Sequence, residues 1–367
     1  MIQSLDLDKI FYSASLAPSG DNLQPWQFKI EGSNSFNIFF NHQLAEHAFN
    51  PENTTSSVNL GMMLFLIQEE AARQGYVLNY TSNEKGLTDI NTAVISCSFE
   101  RVENTKAHFS RETIQKRRVG RGNYLKQSLP MKEIEFLLEE FNAKNDLTHF
   151  YLNDKFSKET ISSMKKMERN FWNKKEYLKD IFKWVYFSKK EHEATRRGFY
   201  WTELGIKIMD IPYVFIVKKF TAFGVTLFNL IAHVIVLAKL TKSLDNAGFV
   251  MVSLKKRPNL SEWLTIGKDV MHLWCKVADL GMVSQPMSAQ TFFISFNKWG
   301  IYKNEWPNEL VSPMEKNLNK DFKSGNHDYP FWLFRFGYAK ENDTAKSLRL
   351  DVKDLVLKDL EAKKKAS

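Results

Sequence analysis

Cysteine is nearly absent: Cys97 and Cys275 are the only two in 367 residues, far apart and in apolar surroundings. A disulfide framework, a zinc cluster and an iron–sulfur site all lack ligands, and a reducing cytoplasm is the expected setting. The eight histidines are scattered singly, without i, i+4 pairing or acid partners, so no metal is expected. The start, MIQSLDLDKI, lacks a basic leader followed by an apolar core, and no signal peptide is expected. Acidic residues fall short of basic ones, 42 against 51, giving a net charge of +9. The excess lies in KKMERNFWNKKEYLK (165–179), KKR (255–257) and the tail EAKKKAS rather than on one stripe with interleaved aromatics, so nucleic-acid binding is not expected.

With 43% hydrophobic and 25% charged residues the chain is far from a disordered composition. At roughly 150 residues per domain its length suggests two folding units. LDLDKIFYSASLA (5–17) has helical spacing and stops at Pro18, Ser19 and Gly20. FKI (28–30) and FNIFFN (36–41) read as a hairpin, 56–76 as a buried helix stopped at Gly75, and VLNYT and 92–102 as strands. After a polar, basic stretch at 106–124 comes a helix at 130–141, a strand at 148–153, a long helix at 262–288 stopped at Gly281 and a strand at 331–339. NLGMMLFLIQEEAARQGY…VISCSFERV and IGKDVMHLWCKVADLGMV…WLFRFGYAK follow the same order, which suggests two diverged copies of one unit.

One long uncharged run exists, Phe220 to Ala238, bounded by Lys219 and Lys239. Its 19 residues meet the length of a membrane span. Asn229, His233, Gly224 and Thr226 oppose insertion, and a buried or covering helix is the expectation.

Two local motifs carry chemistry. APSGDNLQPWQF (17–28) places hydroxyl and amide groups densely between a helix and a strand, although Pro, Gly and Asn also punctuate helices for purely structural reasons. RRVGRGNY (117–124) sets three guanidinium forks close together, either as a phosphate site or as a solvated basic linker.

Together these resemble the nitroreductase-like flavoprotein superfamily, with its P-S-x-x-N-x-Q-P-W and R-R-S/T-x-R motifs. Pro18, Ser19, Asn22, Gln24, Pro25 and Trp26 match the first motif, and Arg117, Arg118 and Arg121 match the second. Val119 stands where the family often has Ser or Thr, so one hydroxyl contact to the phosphate is missing. The resemblance implies an FMN site built from Pro18, Ser19, Gly20, Asn22 and Gln24 with Arg117, Arg118 and Arg121. Pro286, Met287 and Ser288 of LGMVSQPMSA would present backbone groups near the flavin ring, and Lys346 or Arg349 of KSLRLDVKDLV would add charge at the phosphate. No catalytic side chain is implied, since the flavin carries the chemistry.

The two motifs are divided between the halves, as in the Acg-like tandem subfamily. This implies an α+β fold, mostly antiparallel sheet flanked by helices, duplicated in one chain as a pseudo-dimer with one FMN. The expected halves are 1–108 and 109–367, the second carrying a helical lid insertion around 155–245. The implied activity is ping-pong transfer from NAD(P)H to a nitroaromatic, quinone or other small acceptor, by a cytoplasmic monomer. The alternatives are a lid-covered flavin-storing protein with little turnover, and a membrane-associated or basic interaction protein.

Overall fold

The computed structural model describes residues 4–227, 233–302, 305–325, 329–340 and 344–357. Asp6 caps the first helix by accepting from the Lys9 backbone N–H at 3.1 Å, and α1 (Leu7–Ser15) buries Ile10, Phe11 and Ala14. A two-residue turn at 33–34 joins β1 (Trp26–Gly32) to β2 (Ser35–Phe40), whose Phe36, Ile38 and Phe40 alternate into the core. The helix α2 (Thr54–Arg73) is buried on nearly every face, and β3 (Tyr76–Ser82) and β4 (Ala93–Arg101) follow. These strands form an antiparallel sheet in the order β1-β2-β4-β3.

The link continues through α3 (Arg111–Lys116) and the short β5 (Val119–Gly120). Then come α4 (Met131–Lys144) and β6 (Thr148–Asn153). A long helical stretch follows: α5 (Lys158–Trp172), α6 (Lys175–Lys183), β7 (Val185–Tyr186), α7 (Lys189–Thr195), β8 (Phe199–Tyr200), α8 (Ile211–Lys219), α9 (Thr221–Leu227) and α10 (His233–Ser243). The chain returns through β9 (Gly248–Leu254), α11 (Leu260–Asp279), β10 (Val283–Pro286), α12 (Ala289–Lys298), α13 (Asn308–Asp321) and β11 (Tyr329–Gly337), and the described part ends with β12 (Thr344–Ala345) and α14 (Val352–Leu355). The second sheet has the order β12-β5-β10-β11-β9-β6, antiparallel except where β5 meets β10.

The fold is α+β and duplicated. The sequence α1-β1-β2-α2-β3-β4 has its counterpart in α4-β6-β9-α11-β10-β11, and β6-β9-β11-β10 repeats the neighbour order of the first sheet. The two long helices meet at equivalent glycines. A Cβ on Gly61 would lie 2.3 Å from the Leu264 carbonyl oxygen, and one on Gly267 would lie 2.1 Å from that of Val58. Only hydrogen side chains let the backbones approach this closely. The C-terminal segment crosses back to the first half, where the Leu357 N–H donates to the Phe28 carbonyl at 2.7 Å beside β1.

The uncharged run departs from the buried helix expected of it. Helix α8 ends at Lys219, Phe220 leaves helical geometry at φ −131° and ψ 63°, and Phe220, Phe223 and Val234 are exposed. Residues 228–232 of the run lie outside the described residues. Among the described residues no helix is long and apolar enough to cross a membrane.

Candidate functional site

Three non-glycine residues in four positions of the loop after α1 take left-handed backbone angles: Asp21 (φ 46°), Asn22 (φ 54°) and Gln24 (φ 50°). Each costs about 1 kcal/mol, so the loop needs firm anchors. The Ser19 hydroxyl accepts from the Gln24 N–H at 2.9 Å. The Asn22 amide donates to the carbonyls of Leu348 (2.9 Å) and Gly198 (3.2 Å), and its oxygen accepts from the Arg349 guanidinium. Gln24 donates to the Arg196 carbonyl (2.9 Å) and accepts from the Leu350 N–H (2.8 Å).

This loop faces the arginine segment across a cavity of about 430 Å³, within the usual range for small-molecule sites. Arg117 donates to the Leu16 carbonyl at 2.8 Å and lies 4.5 Å over the Trp274 ring. Its Nε is buried without a partner. Arg121 donates to the Glu203 carbonyl at 2.7 Å and lies 5.1 Å over Phe199. Arg349 joins them on the cavity wall. Among the described residues none of the three has a carboxylate within ion-pair distance. Burial lowers Arg117 and Arg121 to about 10 and Arg349 to about 9, the last also repelled by Arg117.

Two carboxyls border this cluster. Burial, with Asp180 adding, raises Asp21 to about 7 against the pull of Arg121. Burial likewise raises Glu203 to about 7, opposed by a Ser347 hydrogen bond and by Arg121. His47, packed where a Cβ on Gly20 would meet its Nε2 at 2.5 Å, is lowered by burial to about 4 and is neutral at pH 7. The remaining wall is largely apolar, with Trp274, Phe292 and Trp332 beside Pro286 and Ser288.

Other contacts hold the arginine segment in place. Glu69 accepts from the backbone N–H groups of His108 (3.1 Å) and Phe109 (3.0 Å), and Glu70 takes both Nε (2.9 Å) and a terminal nitrogen (2.6 Å) of Arg111. Arg335, fully buried on β11, donates to the carbonyls of Gly120 (3.1 Å), Gly122 (3.0 Å) and Ser243 and to the Gln285 side chain (2.8 Å).

Pro18, Ser19, Gly20, Asn22, Arg117, Arg121, Pro286, Ser288 and Arg349 therefore share one cavity, and four expected site residues do not line it. Gln24 is fully buried and its amide is spent on the backbone. Met287 is buried, and its N–H donates to the Leu333 carbonyl at 2.7 Å, so it has no N–H for a ligand ring. Arg118 and the exposed Lys346 lie instead along a small neighbouring cleft with Arg117 and Arg349. Ile181, Phe199 and Leu204, from the stretch expected to form the lid, line the cavity, and Val236 of the uncharged run lines a neighbouring chamber. Asp21, His47, Glu203 and Trp274 are not singled out by sequence; Asp21 lies inside the first motif, but burial, which makes it unusual, has no signature in sequence.

A second chamber of about 900 Å³ shares Val119, Arg121, Leu204 and Gln285 with the first and extends toward Lys207, Lys239 and Leu240. Among the described residues no group of three His, Cys, Asp or Glu could hold a metal ion.

No family model matches the chain, and no curated protein matches it. Solved structures similar to it include the FMN- and NADPH-dependent nitroreductase NfnB from Sphigopyxis sp. strain HMH, 9% identical, covering 67% of this chain and 97% of that one with a TM-score of 0.35. Another is the FMN-dependent nitroreductase NfnB from Mycobacterium smegmatis in complex with NADPH, 13% identical, covering 66% and 90% with a TM-score of 0.31. The function of the chain is therefore read from the geometry of its site and not from these distant likenesses.

Proposed function

We propose that this chain is an FMN-binding oxidoreductase of the nitroreductase-like superfamily, of the Acg-like tandem type, with one composite site divided at about residue 108 between its halves. One observation carries the proposal: three arginines that, among the described residues, have no carboxylate within ion-pair distance converge on a cavity whose remaining wall is largely apolar and aromatic. Buried guanidinium forks with no ion-paired carboxylate favour a phosphate dianion, and the Nε of Arg117, without a partner among the described residues, is a donor still to be satisfied. Arg117, Arg121 and Arg349 would hold the FMN phosphate, while Pro18, Ser19, Gly20 and Asn22 face Pro286 and Ser288 across the space for the ring. When bound, FMN supplies electron transfer from NAD(P)H to a nitroaromatic, quinone or other small acceptor.

The chain's own residues do the positioning. Asn22 and Gln24 tie the strained loop to the segments at 196–198 and 348–350, so the N-terminal loop and the C-terminal Arg349 move as one unit. The aromatic wall excludes water and strengthens each charge contact within it. A storage protein with a sealed flavin is the second reading, and the chamber adjoining the cavity favours turnover over it, since a substrate has room beside the first ligand. A cytoplasmic monomer is part of the same proposal.

The test is FMN affinity. Arg117→Ala with Arg121→Ala removes two charged donors, each worth about 1.5–3 kcal/mol, so affinity should fall at least about hundredfold while circular dichroism stays native. Unchanged affinity would remove the phosphate role.

A further inference from the structure

Among the described residues seven large apolar side chains are exposed by 49% or more, and six of them lie between 208 and 234: Ile208, Met209, Phe215, Phe220, Phe223 and Val234. Met209 is 91% exposed and Ile208 75%. Scattered single exposures need no explanation, but a concentration of this kind on one insertion does. The same stretch, 206–243, carries five lysines against Asp210 alone; Lys239 pairs with Asp210 at 2.8 Å and Lys218 donates to the Val185 carbonyl at 2.5 Å, which leaves Lys207, Lys219 and Lys242 as the charge on offer. The Lys219 ammonium lies 5.8 Å from the Phe215 ring centre and 5.7 Å from that of Phe220, so here charge sits against exposed apolar surface. Ile208, Lys239 and Lys242 also border the 900 Å³ chamber.

We propose that this face of the insertion docks peripherally on an anionic lipid surface, with the exposed Phe, Ile and Met side chains entering the headgroup boundary and the lysines meeting lipid phosphates. Two copies of the chain docked through it would bring their lysines together, which disfavours a homodimer. An anionic bilayer satisfies apolar surface and positive charge at once, because lysine stems lie along apolar surface while their ammonium groups reach the phosphates. No described helix is long and apolar enough to cross the bilayer, so the contact is superficial. The exposed docking residues are separate from those assigned to FMN, so docking and flavin binding fail separately in the test.

The experiment is flotation of the full chain with vesicles of phosphatidylcholine plus phosphatidylglycerol, and with phosphatidylcholine alone. The chain should float with the anionic vesicles and bind the neutral ones at least tenfold more weakly. Phe220→Ser with Phe223→Ser, both exposed and so compatible with folding, should reduce the bound fraction at least tenfold with FMN binding unchanged. Lys219→Gln with Lys242→Gln should weaken binding about twenty-fivefold, from roughly fivefold per lysine at an anionic surface. No flotation with anionic vesicles, or equal flotation of F220S/F223S and wild type, overturns the proposal. A dimer in sedimentation velocity that F220S/F223S abolishes overturns it in favour of a second copy as occupant.

Discussion

Between β1 and β2 the chain turns over residues 33–34, whereas at the corresponding place in the second half, between β6 and β9, it takes residues 154–247 to return. Between α1 and β1 lies the ten-residue loop with Ser19 and Asn22, whereas its counterpart between α4 and β6 is residues 145–147. The framework is shared between the two copies while the cavity lining is not: the loop after α1, the segment before α4 and residues 181, 199 and 204 line one cavity together. A duplicated fold keeps its packing in both copies, but a composite site needs each part only once.

Three sets of substitutions separate the symmetric framework from the asymmetric site. The greatest loss should come from the shared helix crossing. Gly61→Ala or Gly267→Ala places a methyl group against backbone oxygen, and each should cost about 3 kcal/mol, read as a lower midpoint in urea. Either change alone forces the helices apart, so the double variant should lose less than the sum. Full additivity would mean that the two glycines do not pack on each other.

Next is Arg335, which belongs to the second half only. Arg335→Met leaves the carbonyls of Gly120, Gly122 and Ser243 without their buried donor and should cost about 2 kcal/mol, with FMN binding weakened through the displaced Arg121. Loss of stability with undiminished FMN affinity would separate the arginine segment from the sheet edge that carries it.

The mildest change is in pH dependence. Asp21 and Glu203, both raised to about 7, are neutral below that pH and ionise above it. A phosphate among the arginines repels their carboxylates and raises both further, so binding takes up protons and affinity should fall as pH rises through 7. Phosphate itself loses its second charge below about pH 6, which sets the acid limb. Asp21→Asn with Glu203→Gln should flatten the alkaline limb, which measures about tenfold per pH unit for each proton taken up. An alkaline limb unchanged in that variant would exclude these two groups.

Much of the framework was legible in sequence because it depends on local period and punctuation. The helix ending before Pro18, the hairpin at 33–34, the two long helices stopped at Gly75 and Gly281, and the repeated order all follow from spacing. The site was legible only as far as its motifs. Gln24 and Met287 belong to the right segments, yet their polar groups are taken by Arg196, Leu350 and Leu333, partners that only tertiary pairing brings near. Asp21 and Glu203 stand out through desolvation, which no single-residue pattern encodes. The run from Phe220 read as a buried or covering helix, and Phe220, Phe223 and Val234 are exposed because hydrophobicity reports a preference for leaving water, not whether this chain covers each side chain.

The composite site is tested most directly by the flavin content of the purified full-length chain after saturation with FMN and removal of the excess. One FMN per chain, identified after release by denaturation, is the predicted result, because the loop and the arginines line one shared cavity. Two per chain would contradict the composite site, and none would contradict the assignment of Arg117, Arg121 and Arg349 to its phosphate.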